Sequence, residues 1–273
     1  MRKFSWFNTV SLTLGFAFLY IPILLLVIYS FNAGRNVAVW TGWSTKWYGA
    51  VFSNGQLMNA AWTTFSIALV SATLATILGT LAAITLTRYG NYRGSLLFNG
   101  MIYAPLVMPE IILGLALLLL FVAVNFERGY WTITLAHTTF TLCFVAVVVQ
   151  SRLVTFDRSL EEAALDLGSP PLKTFFVITL PIILPAVISG WLLAFTLSLD
   201  DLVISSFTTG PGATTLPMKI YSDVRLGVKP EINAVSTILI GVVTLGVIAA
   251  SYLTRRQTLQ EERDRRAAIA GTN

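Results

Sequence analysis

The chain has 273 residues, 55% of them apolar and 11% charged, with a mean hydropathy of +0.74. A soluble domain carries roughly a quarter charged residues, so most of this chain cannot face water. Its net charge of +5 suits the Lys and Arg excess of cytoplasmic membrane-protein loops. No basic run interleaved with stacking aromatics occurs in a water-facing segment, so nucleic acid is not an expected partner.

A helix needs about 20 mostly apolar residues to cross the bilayer core. Six stretches reach that length: Asn8–Phe31, Trp62–Thr87, Asn99–Val124, Thr132–Arg152, Ile182–Phe207 and Asn233–Thr254. Runs such as Ile23–Ile28 and Leu115–Val122 are continuous, without the alternation of a β-barrel. Backbone groups in lipid must be satisfied within the segment, so these stretches are helices. The fold class is therefore all-α integral membrane, with about six transmembrane helices. Residues 1–254 form the transmembrane domain and 255–273 a charged cytoplasmic tail. Arg2 and Lys3 precede the first stretch as they would a signal peptide. Its apolar run is longer than a signal's and no small-x-small cleavage site follows, so it reads as an uncleaved first helix.

Orientation follows from the loops. With the N-terminus inside, Arg2, Lys3, Arg88, Arg93, Arg152, Arg158, Lys173, Arg255, Arg256, Arg263, Arg265 and Arg266 are cytoplasmic. Arg35, Lys46, Arg128, Lys219, Arg225 and Lys229 are outside. That bias of 12 against 6 places both termini inside. The outer segment Asn32–Ala61 holds Trp40, Trp43, Trp47 and Tyr48, residues that favour the membrane interface. It reads either as an interfacial or re-entrant helix or as a surface that docks a partner or guides substrate. Gly210-Pro211-Gly212 marks a turn in a second outer loop, Ser206–Ile232.

Cys143 has no partner for an internal disulfide and, like the sole histidine His137, reads as structural. No Cys/His/carboxylate cluster has metal-ligand spacing. There is no GxxxxGK[ST] phosphate loop, so ATP-driven transport would need an ATPase on another chain.

The cytoplasmic loop between the fourth and fifth stretches, residues 153–181, carries the strongest pattern. Ser159 and Glu162 have capping-box spacing. Leu160, Ala163, Ala164 and Leu167 then fall on one helical face. Gly168 is a C-terminal stop, and Ser169-Pro170 can open a second helix. Pro181 and Pro185 bracket the entry into the fifth span. The loop is thus helix–Gly–helix, and its apolar face needs a partner groove or the lipid surface.

Glu162-Ala163-Ala164, three residues, Gly168, nine residues, Ile178-x-Leu180-Pro181 resembles the EAA–G–I-LP loop of ABC-importer permeases. The resemblance implies a type I importer permease fold. It also implies a coupling role for Glu162, Ala163, Ala164, Gly168, Ile178, Leu180 and Pro181, seated in a groove of a separate ATPase. No catalytic step or cofactor belongs to this chain in that reading; ATP and Mg stay on the partner. Trp40–Tyr48, Ala104–Glu110, Leu197–Asp201, Gly210-Pro211-Gly212 through Leu216-Pro217, and Gly227–Ala234 are similar to permeases of the spermidine/putrescine family, second permeases of putrescine importers above all. That family implies a sister permease, two ATPase subunits and a periplasmic polyamine-binding protein.

Glu110, Asp200 and Asp201 lie in apolar stretches. An Asp at a helix centre costs roughly 2.5–3.5 kcal/mol on the insertion scale, so such acids face a cavity or an opposite charge. No Lys or Arg lies deep in the spans, so pairing within the chain looks scarce. Glu110 is expected near mid-depth after Pro105 and Pro109, and the Asp pair in the outer half of helix five. Helical neighbours point about 100° apart, so the two Asp cannot face one spot. One reading is an acidic path for a polycation. The other is pairing with the sister permease or a buried hydrogen-bond donor, or a protonated acid between helices. Trp47, Tyr48 and Tyr221 could bind ammonium groups through cation–π contacts.

Three rivals remain. A permease for another small cationic or neutral solute fits the same loop; the lack of deep basic residues argues against anions. A self-sufficient secondary transporter would need its own ion-coupling site. A membrane enzyme would need a nucleophile–base or metal cluster, and none is present in the sequence.

Overall fold

The computed structural model describes residues 6–37, 39–90, 92–227, 229–246, 248 and 252. Its helices are α1 (Trp6–Ser30), α2 (Lys46–Ser53), α3 (Gly55–Arg88), α4 (Ser95–Val107), α5 (Glu110–Ala123), α6 (Tyr130–Val154), α7 (Ser159–Asp166), α8 (Pro171–Leu199), α9 (Val203–Thr208), α10 (Leu216–Leu226) and α11 (Pro230–Gly246). Among the described residues the only β pairing is an isolated bridge between Asn32 and Trp43. Contacts divide the chain into two units, Gln56–Ser222 and the flanking Met1–Gly55 with Asp223–Asn273.

Four described helices, α1, α3, α6 and α8, are long and apolar enough to cross a membrane. The third expected span is instead two shorter helices. Pro109 has no N–H to continue the ladder and pushes its predecessor out of the α region. Met108 is accordingly extended, at φ −74° and ψ 139°. The chain restarts when Ile112 donates to the Pro109 carbonyl at 2.9 Å. Glu110 therefore lies in the first turn of α5 rather than inside one long helix.

The helix that holds the fifth span runs from Pro171 to Leu199, so it ends eight residues before the expected Phe207. The second loop helix passes into it through a widened π turn at Phe175–Thr179. Pro181, whose missing N–H would break a regular ladder, sits just beyond that turn. Pro185 lies inside the helix. The sixth expected span, Asn233–Thr254, is described as α11 as far as Gly246; most of its remainder and the tail 255–273 lie outside the described residues.

In the larger unit, small residues let helices approach closely, as is common in membrane bundles. Ala72, Ala75 and Ala83 of α3 meet Val145, Val149 and Leu153 of α6 and Ile183 and Ala194 of α8 in one buried cluster. A Cβ on Gly79 would stand 2.7 Å from the Leu142 carbonyl. A second cluster joins Leu113, Leu117 and Phe121 of α5 to Ala136 and Phe140 of α6 and Ile204 of α9.

In the flanking unit, α1 buries only Ser30. The loop after it is organised by Asn32, which is 1% exposed. Its amide donates to the Val39 carbonyl at 2.7 Å and accepts from the Thr41 N–H at 2.9 Å. The short helix α2 follows, inside the segment Asn32–Ala61 that reads from sequence as an interfacial or re-entrant helix or as a docking or substrate-guiding surface.

Candidate functional site

The loop between α6 and α8 folds as helix–Gly–helix, but its N-terminal cap differs from the expected capping box. Ser159 is already the first helical residue, Arg158 takes the cap position, and no side-chain cap bond forms. The Asp157 carboxylate accepts the Ser159 N–H at 3.0 Å instead. Asp two residues upstream competes well for that amide. Hydrogen bonding from Ser159 holds the Asp157 carboxyl below its ordinary range. At the other end Gly168 has φ +84°, a left-handed conformation that favours glycine. Gly168 N–H donates to the Leu165 carbonyl at 2.9 Å and Ser169 N–H to the Ala164 carbonyl at 3.0 Å. This is the paired bonding of a Schellman stop.

The seven residues expected to couple fall into two groups. Glu162, Ala163, Gly168 and Pro181 are exposed, while Ala164, Ile178 and Leu180 are half-buried. Leu160 and Leu167 are exposed beside them. Glu161, which the sequence reading passed over, turns inward. Arg88 Nη2 donates to its Oε1 at 2.8 Å and the Thr179 hydroxyl donates to the same oxygen at 2.5 Å. Two adjacent glutamates give no local signal of which turns in; the end of α3 decides it.

The second region is the break after α8. Asp200 is the C-cap of that helix and Asp201 lies in the gap before α9, so neither is inside helix five as expected. Asp201 accepts the N–H of Ser205 at 2.7 Å and of Ile204 at 3.3 Å, capping α9. Its side chain is 6% exposed. Pairing within the chain, which looked scarce, is supplied by His137 of α6, a residue omitted from any count of Lys and Arg. His137 Nε2 stands 3.1 Å from Asp201 Oδ2 and 3.0 Å from Ser205 Oγ. The carboxylate accepts from Nε2, and Nδ1 and the Ser198 hydroxyl are hydrogen-bonded at 2.6 Å. Ser198 in turn meets Ser71 of α3 at 3.1 Å. One buried polar chain thus ties α3, α6, α8 and α9 at the break.

Asp200, by contrast, is exposed, and so is Glu110. α9 runs antiparallel to α6, because Asp201 meets His137 while Thr208 accepts from the Thr132 hydroxyl at 2.7 Å. α5 is joined to α6 by a short connection and packs along it, so it is antiparallel too. α5 and α9 are therefore parallel, and they touch where Gly114 faces Ile204 and Phe207. Glu110 and Asp200 each stand four residues before that contact.

The aromatic candidates are held by their own surroundings. Trp47 Nε1 donates to the Asn32 carbonyl at 2.8 Å, and Lys46 Nζ lies 4.6 Å from the Trp47 ring centroid. The Tyr48 hydroxyl bonds Ser30 at 2.7 Å. Tyr221 is 45% exposed on α10. Trp47 and Tyr48 belong to the flanking unit, whereas Tyr221 and the three acids belong to the larger one.

Helices long and apolar enough to span, two helix breaks and a helix–Gly–helix loop define a helical membrane protein. Residues 75–258 match the binding-protein-dependent transport system inner membrane component family, and the chain belongs to that family. It is 58% identical over 273 residues to the putrescine transport system permease protein PotI of Escherichia coli strain K12, covering 98% of this chain and 97% of that one. It is 44% identical over 247 residues to the spermidine/putrescine transport system permease protein PotC of the same strain, covering 90% and 93%. Among solved structures, a bacterial ABC transporter involved in import of the acidic polysaccharide alginate superposes with TM-score 0.69 at 15% identity, over 90% of this chain and 94% of that one. The MetNI methionine ABC transporter gives TM-score 0.61 at 20% identity, over 73% and 94%. At those identities the likeness concerns the fold: the chain is an all-helical membrane-spanning permease with the ABC-importer architecture.

Proposed function

We propose that this chain is a permease subunit of an ATP-driven polyamine importer, with putrescine as the first substrate and spermidine the next. The observation that carries this reading is the end-to-end 58% identity to a putrescine permease. The exposed acids support it: Glu110 and Asp200 present exposed carboxylates at two helix breaks. In a low-dielectric path such groups replace the attraction an ammonium loses with water. Asp200 and Glu110 are the path residues, and Asp201 shapes the path by holding the break. Trp47, Tyr48 and Tyr221 are the aromatic candidates for cation–π contact with the ammonium groups.

The rest of the assembly follows from the same reading. A sister permease supplies the other half of the path, two ATPase subunits hold ATP and Mg, and a periplasmic protein delivers the polyamine. Glu162, Ala163, Ala164 and Gly168 dock on the ATPase, and Ile178, Leu180 and Pro181 carry its movement into the fifth span. The chain lies in the bacterial inner membrane with both termini cytoplasmic, the orientation its basic residues favour.

Uptake of labelled putrescine in cells with matched membrane levels tests the path. Asp200→Asn is expected to reduce uptake about 10-fold, a loss of the size expected when one charge-assisted contact goes, and Glu110→Gln by less. Polyamine binding to the periplasmic protein should not change. Near-normal uptake in both single variants and in the double variant would remove the acidic path and leave the permease assignment standing.

A further inference from the structure

Apolar packing does not fill the space behind the loop helix α7. A cleft of about 290 Å³ lies there, lined by Ile84, Tyr89, Leu165, Pro171 and Phe175 among others. What crosses it is polar. Arg88, the last residue of α3, and Thr179, the last of the π turn in α8, meet on one oxygen of Glu161. Thr179 is buried, and the Arg88 and Glu161 side chains are 15% and 21% exposed. A second tether runs from Arg158 Nη2 to the Thr87 carbonyl at 2.6 Å. The Arg88 guanidinium also lies 5.3 Å from the Phe156 ring centroid, just ahead of α7. A π turn is a local departure from the α-helix that is frequent at functional sites, and here it ends on the residue that Glu161 holds.

We propose that Glu161 is a positioning residue for transport: its carboxylate clamps α7 to the cytoplasmic ends of the second and fifth spans, so that displacement of the loop by an ATPase moves both spans together. The clamp rests on the reading of α7 as the coupling helix, and it divides the labour of the loop. Glu162, exposed, meets the partner; Glu161, turned inward, transmits. An ion pair with access to water adds little to stability. Its value here is geometric, so its loss should uncouple the machine rather than dismantle it.

The test uses the complete complex in liposomes, with the sister permease, the ATPase and putrescine-loaded binding protein. Stimulated ATP hydrolysis and putrescine uptake are measured together. Glu161→Ala and Arg88→Ala are expected to lower putrescine imported per ATP about 10-fold, within the usual span of coupling free energies. ATPase association should be retained. The charge exchange Arg88→Glu with Glu161→Arg should recover a good part of the ratio. If Glu161→Ala does not accumulate, the near-isosteric Glu161→Gln is read in the same way. An unchanged ratio in the single variants, or no recovery on exchange, overturns the clamp. Loss of ATPase association in Glu161→Ala overturns it too, since Glu161 would then belong to the docking surface. If wild-type complex shows no putrescine-stimulated hydrolysis, the polyamine reading falls and takes the clamp with it. Stimulated wild type with unaltered variants sinks the clamp alone.

Discussion

Glu161 with Glu162, and Asp200 with Asp201, are two pairs of neighbouring acids within one unit of the chain. In each pair one member holds the fold and the other faces outward. The anchoring differs between the two regions. The Asp201 side chain is only 6% exposed and accepts from His137, Ile204 and Ser205. Removing such a group strands donors where water cannot reach them. Glu161 keeps partial access to water and is held by one guanidinium and one hydroxyl. The difference teaches that the break after α8 is fixed by desolvated bonding, while the helix–Gly–helix loop is tied on more loosely. A loosely tied element suits displacement by a partner; a saturated one suits a fixed surface along a path.

The largest expected effect tests the buried member at the break. Asp201→Ala should destabilise the protein by about 3 kcal/mol, the order expected when a buried partner is removed and its donors are left unpaired. Asp200→Ala should cost less than about 0.5 kcal/mol, as for an exposed position. Thermal unfolding in detergent measures both. Equal shifts in the two variants would break the distinction between anchor and outward-facing acid.

A middle-sized effect is expected at Gly168. Nothing lies within 4 Å of a Cβ placed there, so the cost of Gly168→Ala comes from its φ of +84° alone. A left-handed residue with a Cβ costs about 1–2 kcal/mol. Bilayer insertion should be normal and ATPase affinity should fall about 5- to 10-fold, read by co-purification at graded ATPase concentration. Unaltered affinity would mean that the loop's stop does not set the docking geometry.

Asp157 should show the smallest effect. Its folded-state carboxyl titrates below the ordinary range because Ser159 bonds the charged form. Its contribution is therefore present at neutral pH and is lost as pH falls through that lowered value. Amide hydrogen exchange at Ser159 should be slower in wild type than in Asp157→Ala at neutral pH, and the difference should vanish on acidification. A difference that persists in acid would show that the first turn of α7 is held by other groups.

Hydropathy alone was enough to read the membrane class, the approximate positions of the spans and the all-helical fold, because lipid forces backbone bonding into the segment. The loop's helix–Gly–helix form was equally legible, since a left-handed stop and a short apolar stripe are local properties. The breaks were harder to read. Pro109 was visible, yet whether a membrane helix bends or stops at a proline depends on what packs against it. The end of the fifth span at Leu199 depends on Asp201 finding His137, which lies 64 positions away in the sequence. Glu161 turns inward because Arg88, 73 positions earlier, waits at the end of α3. Periodicity and composition report what a segment buries along its own length. Which of two neighbouring acids becomes an anchor is decided by donors that only the packed helices bring within hydrogen-bond reach.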